Sequence, residues 1–272
     1  LDLSILRYEF MQNAILAGFL GGVGCALIGV LVVTMNLSFI GVAIAHAAFA
    51  GALFGIFLGF SPDIGAFMFC LVAVAVIGPL SDRGEFSPDT PIGIVFSLTM
   101  GLAFLFMGLM RGPKTEALEL LWGSILTVTY ADLALLAAVA LAVVLLIVLF
   151  FKEIQTVIFH REVALAVGLP ANFIFYAMLI LTGSAITVSL QSIGGLLIFN
   201  LILNPAAAAW QLTYRLRWMF ALSAAFGVLS TWLGLLGSYL FRFPSGATIV
   251  LVSTLLFIAA AAFSPKRRVK KE

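Results

Sequence analysis

The amino-acid sequence predicts an all-α integral membrane protein, a polytopic bundle of eight to nine transmembrane helices forming one domain over residues 1–272. Three observations predict it. Only 10% of the residues are charged and 63% are hydrophobic, where a water-soluble domain carries about 25% charge. Apolar runs of about 20 residues, the length that crosses a bilayer, recur along the whole chain. None of the 12 acidic residues falls in the middle of such a run.

Taken in order, the apolar runs cover roughly 14–33, 37–59, 63–80, 91–110, 132–151, 172–190, 193–212, 217–240 and 246–264. The second is interrupted by His46, and Gly41, Gly51 and Gly55 give it a small-residue face. Small residues let helix backbones approach closely in lipid, so this helix is expected inside the bundle. Residues 111–131, with Lys114, Glu116, Glu119 and Trp122, are amphipathic and suit the membrane interface. The first 13 residues lack the short apolar core and cleavage site of a secretory signal, so none is expected. No loop is long enough to bury a core of its own, and no internal repeat is evident.

Lysine and arginine placement sets the expected orientation. With nine spans, one side collects Arg83, Lys152, Arg161, Arg215, Arg217, Lys266, Arg267, Arg268, Lys270 and Lys271, against Arg7, Arg111, Lys114 and Arg242 on the other. The richer side is expected to be cytoplasmic, together with the C-terminus. The basic tail, 265–272, reads as a topology anchor near anionic lipid.

The residue inventory excludes several functions. Proton-coupled carriers keep ionisable groups at mid-membrane depth, and aspartyl proteases need paired carboxylates; neither pattern is present. Only two histidines occur, His46 and His160, so a His-Glu-x-x-His zinc site is ruled out. The sequence has no Gly-x4-Gly-Lys-Ser/Thr, so any ATP that powers the protein is hydrolysed by another subunit. The two cysteines, Cys25 and Cys70, lie in apolar runs without metal-ligand spacing. A net charge of +2 gives no basis for nucleic-acid binding.

Three features remain as candidate machinery. His46 is the one ionisable side chain well inside a span; it reads as a ligand or gate on a cation path, or as a histidine bonded to a neighbouring helix. Gln191, Asn200 and Asn204, next to the helix-kinking Pro205, line a polar path or simply satisfy the broken helix. Residues 159–170 form a short charged segment between spans. There Val163, Ala164, Leu165 and Val167 make an apolar patch flanked by Arg161 and Glu162, suited to docking on a partner at helical spacing. Gly168 supplies a helix stop, and Leu169 and Pro170 lead into a fresh helix. A membrane protein driven by a separate soluble motor needs such a projection.

With these residues in view, the chain resembles the ABC-3 family of metal-ion permeases, the membrane subunits of zinc, manganese and iron importers. The resemblance is carried by Tyr8-Glu9-Phe10-Met11, by Ser38 to Ala47, by Asp89 to Phe96, by Arg161 to Pro170, by Val188 to Ala209 and by Pro244-Ser245-Gly246-Ala247-Thr248-Ile249-Val250. It implies a bundle related to the vitamin B12 and siderophore importers. It further implies a homodimer of permeases in a prokaryotic cytoplasmic membrane, two cytoplasmic ABC ATPases and an extracytoplasmic solute-binding protein. No cofactor would be permanently bound; Zn²⁺ or Mn²⁺ would be the transported substrate, and the 159–170 segment would transmit ATPase closure. The chain departs from the family pattern at Val42, where the family has Asp one helical turn before the histidine. It also departs at Ala45, Asn204 and Ala208, which replace hydroxyl residues. Positions 42 and 46 share a helix face, so a divalent ion would meet His46 without the carboxylate. Such a path also suits a metal chelate or another small solute.

Overall fold

A computed structural model describes residues 7–82, 87, 89–110, 125–159 and 161–266, with the backbone alone at 82, 191 and 196. The helices are α1 (Glu9–Thr34), α2 (Ile40–Leu58), α3 (Pro62–Asp82), α4 (Asp89–Leu109), α5 (Tyr130–Leu149), α6 (Phe151–Phe159), α7 (Arg161–Ala166), α8 (Ala171–Ile193), α9 (Gly195–Leu212), α10 (Leu216–Phe241) and α11 (Ser245–Ala262). Eight of them are long and apolar enough to cross a membrane; the apolar part of α9, Leu197–Leu212, is shorter. The 18 residues of α9 nonetheless span about 27 Å at 1.5 Å per residue, close to the bilayer core.

The first span begins at Glu9 rather than near 14. Asn13, which marked an end by its polarity, is buried, and its Nδ2 donates to the Val128 carbonyl at 3.2 Å. Of the 111–131 segment, residues 111–124 lie outside the described residues, and Ile125–Thr127 form a single 3₁₀ turn. Thr129 then starts α5 with a capping box: the Asp132 N–H donates to Thr129 Oγ1 at 3.3 Å, and the Thr129 N–H donates to Asp132 Oδ2 at 2.9 Å. This fifth span stops at Leu149, and the chain turns at Phe150 into α6, an amphipathic helix the sequence reading left out.

Helix α1 sits at the centre of the bundle and runs antiparallel to α10. Ser223 Oγ donates to the Ala26 carbonyl at 2.8 Å, Thr231 Oγ1 to the Gly18 carbonyl at 3.0 Å and Trp232 Nε1 to the Ile15 carbonyl at 3.2 Å. At the crossing the two backbones almost touch: a Cβ on Gly22 would stand 2.9 Å from the Gly227 carbonyl. Only glycine permits that approach. The most apolar stretches of α1 and α2 are 72% buried within the chain, those of α4, α5 and α11 only 28%. The last three therefore give most of their surface to lipid or to another subunit. The interior place expected for the second span is the one α2 occupies.

One end of the bundle gathers the end of α5, helices α6 and α7, the starts of α8 and α10 and the ends of α9 and α11. Ser264 Oγ donates to the Gln211 carbonyl at 2.8 Å, the Arg217 guanidinium lies 5.2 Å from the Phe151 ring, and Lys266 Nζ stands 4.3 Å from the Trp210 ring. Partial burial pulls the pKa of that ammonium below the usual lysine value. Among the described residues, this end holds Lys152, Arg161, Arg215, Arg217 and Lys266, whereas Arg7 and Arg242 lie at the other end. Arg83, Arg111, Lys114 and the tail from 267 onward lie outside the described residues.

Candidate functional site

Helix α2 is enclosed on nearly every face. From Gly41 to Ala50, Val42 and His46 are the two residues not fully buried, and their spacing puts them on one stripe. Phe96 of α4 meets the imidazole edge-on, with ring centroids 5.0 Å apart. His46 Nδ1 is buried and has no hydrogen-bond partner. The reading of this histidine as one bonded to a neighbouring helix therefore fails at that nitrogen. A ring nitrogen left unpartnered beside a half-open stripe is chemically able to accept a proton or a metal ion. Val42 supplies no charge to the stripe, and among the described residues no three His, Cys, Asp or Glu side chains gather to enclose a metal.

The other polar candidates are not part of this stripe. Asn200 and Asn204 share one face of α9, and that face meets α11. Asn204 Nδ2 donates to Asn200 Oδ1 at 2.6 Å and stands 3.1 Å from Thr254 Oγ1. Phe199 and Ile202, which point elsewhere around α9, are the residues facing Gly41 of α2. The helix runs unbroken through Pro205, which cannot donate to the Leu201 carbonyl. Asn200 Nδ2 and Ser253 Oγ are buried without partners. Gln191 lies in the last turn of α8; its side chain is outside what the structure describes. The sequence reading missed Thr254 because a threonine inside an apolar run ordinarily bonds its own helix, and Thr254 also does so, to Val250 at 2.8 Å.

The charged segment forms an elbow between α6 and α8. Helix α6 buries Ile154 and Val157, and α7 follows after residue 160, which lies outside the described residues. The α7 terminus is a Schellman motif: the Leu169 N–H donates to the Ala164 carbonyl at 3.0 Å and the Gly168 N–H to the Leu165 carbonyl at 3.1 Å. Gly168 sits at φ +81°, which explains why a glycine stands there. Pro170 caps α8 from outside the helix, and the Ile174 N–H donates to its carbonyl. Arg161 ties the elbow to α8: Nη2 donates to Asn172 Oδ1 at 2.9 Å, and the guanidinium stacks 4.4 Å from the Phe175 ring. Nothing in the sequence marks Asn172 and Phe175 as the partners of the arginine that flanks the patch.

Glu162 is exposed, and so are Val163, Leu165 and Val167, at 52%, 48% and 66%. Ala164 is fully buried, so it is not part of the patch as expected but the foot on which α7 stands. Three large apolar side chains are thus held exposed beside the carboxylate of Glu162.

The family model described as the ABC 3 transport family matches residues 7–264. The manganese transport system membrane protein MntC of Halalkalibacterium halodurans is 33% identical over 265 residues, 97% of this chain and 91% of that protein. The structure of PsaBC from Streptococcus pneumoniae in complex with Fab superposes with a TM-score of 0.86 at 31% identity, covering 99% of this chain and 97% of that one. An inward-facing metal-chelate type ABC transporter shares the fold at 17% identity, with a TM-score of 0.73 over 95% of this chain and 88% of that one. The apolar helices make this a multi-pass membrane protein, and the chain belongs to the ABC 3 transport family.

Proposed function

We propose that this chain is the membrane subunit of an ATP-driven importer for a divalent transition-metal ion, with manganese the metal its relatives' names favour. It works as a homodimer in a prokaryotic cytoplasmic membrane, with two cytoplasmic ABC ATPases that hydrolyse the ATP and an extracytoplasmic protein that delivers the solute. The end bearing α6 and α7 is cytoplasmic, as the crowding of basic residues there indicates, and the C-terminus lies on the same side. The observation that carries the reading is the elbow: Val163, Leu165 and Val167 are exposed on a short helix locked to the start of a span. A force applied to that face moves α8. His46 is the group the ion meets as it passes α2.

The test is ATPase activity of the reconstituted complex with manganese, zinc, iron or no metal. Leu165→Asp is expected to abolish metal-stimulated hydrolysis while the permease still purifies as a folded dimer; unchanged stimulation would refute the elbow as the motor contact. A second reading rests on Val42: without the carboxylate the cargo is a metal chelate or another small solute. That reading gains if no free metal stimulates the wild type and His46→Ala changes nothing.

A further inference from the structure

A cleft of about 630 Å³ opens where α5 turns into α6 beside the start of α10. Ile147, Val148 and Leu149 form its apolar wall, and Lys152 and Arg217 its cationic rim, with Glu153 the one acid among the described residues. Among the described residues neither Lys152 nor Arg217 has an ion-pair partner. Arg217 is held in place instead by stacking on Phe151, 5.2 Å away, which in turn packs edge-on against Phe220. Ile147 is buried at the base of the wall, and the other two residues face outward: Val148 is 68% exposed and Leu149 69%, continuing the apolar face of Leu141 and Leu145 along α5. Trp218 and Tyr214 are exposed at the same end, the placement of aromatic residues at a membrane surface.

We infer that this cleft holds the headgroup of an anionic phospholipid, its phosphate on Arg217 and Lys152 and its acyl chain along Val148 and Leu149. Among the described residues the charge balance selects the ligand: two cations against one carboxylate, with no acid in the first turn of α10. A basic pocket between helix ends at the cytoplasmic surface is where anionic headgroups bind. A soluble anion would leave the apolar wall uncovered, and a zwitterionic lipid would leave the net positive charge unmatched. The choice of leaflet rests on the orientation proposed above; the existence of the site does not.

The experiment uses the permease–ATPase complex in nanodiscs of phosphatidylcholine with graded phosphatidylglycerol, read by native mass spectrometry of retained lipid. Wild type is expected to retain phosphatidylglycerol over phosphatidylcholine. Arg217→Gln is expected to cut that retention about fivefold, the equivalent of one basic residue at an anionic surface, and the double variant with Lys152→Gln to cut it further. Arg242→Gln, at the opposite end, is expected to leave it unchanged. Equal retention of the two lipids, or an unchanged preference in the double variant, would overturn the proposal. So would loss of the ATPase subunit from Arg217→Gln with lipid retention intact, because the cleft would then be a protein contact. Labelling of Lys152→Cys by an impermeant thiol reagent reports the membrane side independently. Labelling from outside the cell would sink the orientation and the leaflet assignment while leaving lipid retention to be judged on its own.

Discussion

Replacing Arg161 with alanine releases α7 from α8, and the structure sets the size of the effect. The substitution removes a guanidinium hydrogen bond to Asn172 and a stack on Phe175. The first, at a partly solvated site, is worth about 1 kcal/mol, and the second about 0.5–1 kcal/mol. Together they shift the closed-to-open equilibrium of the elbow by about 10- to 30-fold. The amides that report it are those of Val167, Gly168 and Leu169, whose N–H groups close the end of α7 on the carbonyls of Val163, Leu165 and Ala164. Hydrogen exchange followed by mass spectrometry is expected to show protection there falling about 10- to 30-fold in Arg161→Ala, because local opening, not global unfolding, governs exchange at such a motif. Arg161→Lys is expected to fall between, since an ammonium keeps the charge but not the planar stack. Asn172→Ala alone loses about fivefold, and the double variant less than the product of the two, because both changes break the same bond. Protection unchanged within about twofold in Arg161→Ala would refute the clamp and leave the Schellman turn and the burial of Ala164 to hold the elbow.

Gly22→Ala places a methyl 2.9 Å from the Gly227 carbonyl and is expected to cost about 1–3 kcal/mol by overpacking, lowering the thermal midpoint in detergent. Gly101→Ala in α4, where a Cβ meets nothing within 4 Å, is expected to be neutral or stabilising by about 0.5–1 kcal/mol; equal midpoints for the two would contradict the α1–α10 contact. Asn204→Leu removes both a bond to Asn200 and one to Thr254 and is expected to destabilise by about 1 kcal/mol, with transport per folded complex unchanged. A selective transport loss at full stability would instead place that pair on the solute path. Val42→Asp restores a carboxylate beside His46 and is expected to lower the metal concentration that half-saturates ATPase stimulation; no change would remove the stripe from the path.

Much of the fold was legible because the bilayer allows few solutions: a run of about 20 apolar residues has to be a helix. The ends were less legible. Asn13 is polar yet buried, because the Val128 carbonyl from the far side of the α4–α5 connection satisfies it, and a window of sequence cannot see that partner. Helix α6 was missed because Phe151, Ile154 and Val157 prolong the apolar pattern of α5 while the chain has already turned away. At the elbow, Gly168 and Pro170 announced the stop and the restart correctly, since backbone conformation at those residue types is local. That Ala164 faces inward is a tertiary fact. His46 stood out by its rarity; its partner Phe96 is one of 25 phenylalanines and nothing in the sequence marks it.

The composition of the α2 stripe bears on where a metal would be chosen. A single imidazole per subunit, with Val42 in place of an acid, is a poor match for manganese, a hard ion that prefers oxygen ligands and stands lowest in the divalent affinity order. Such a stripe favours zinc over manganese if equilibrium binding decides. It does not have to decide. An ATP-driven permease gains from a weak site, since an ion held tightly at mid-membrane is slow to leave, and in the function proposed above the free energy of delivery enters at the elbow. Under the proposed function, discrimination between metals then belongs to the protein that hands the ion over. Under that same reading the stripe only shortens the distance the ion travels without a ligand, a task that one half-buried imidazole can perform.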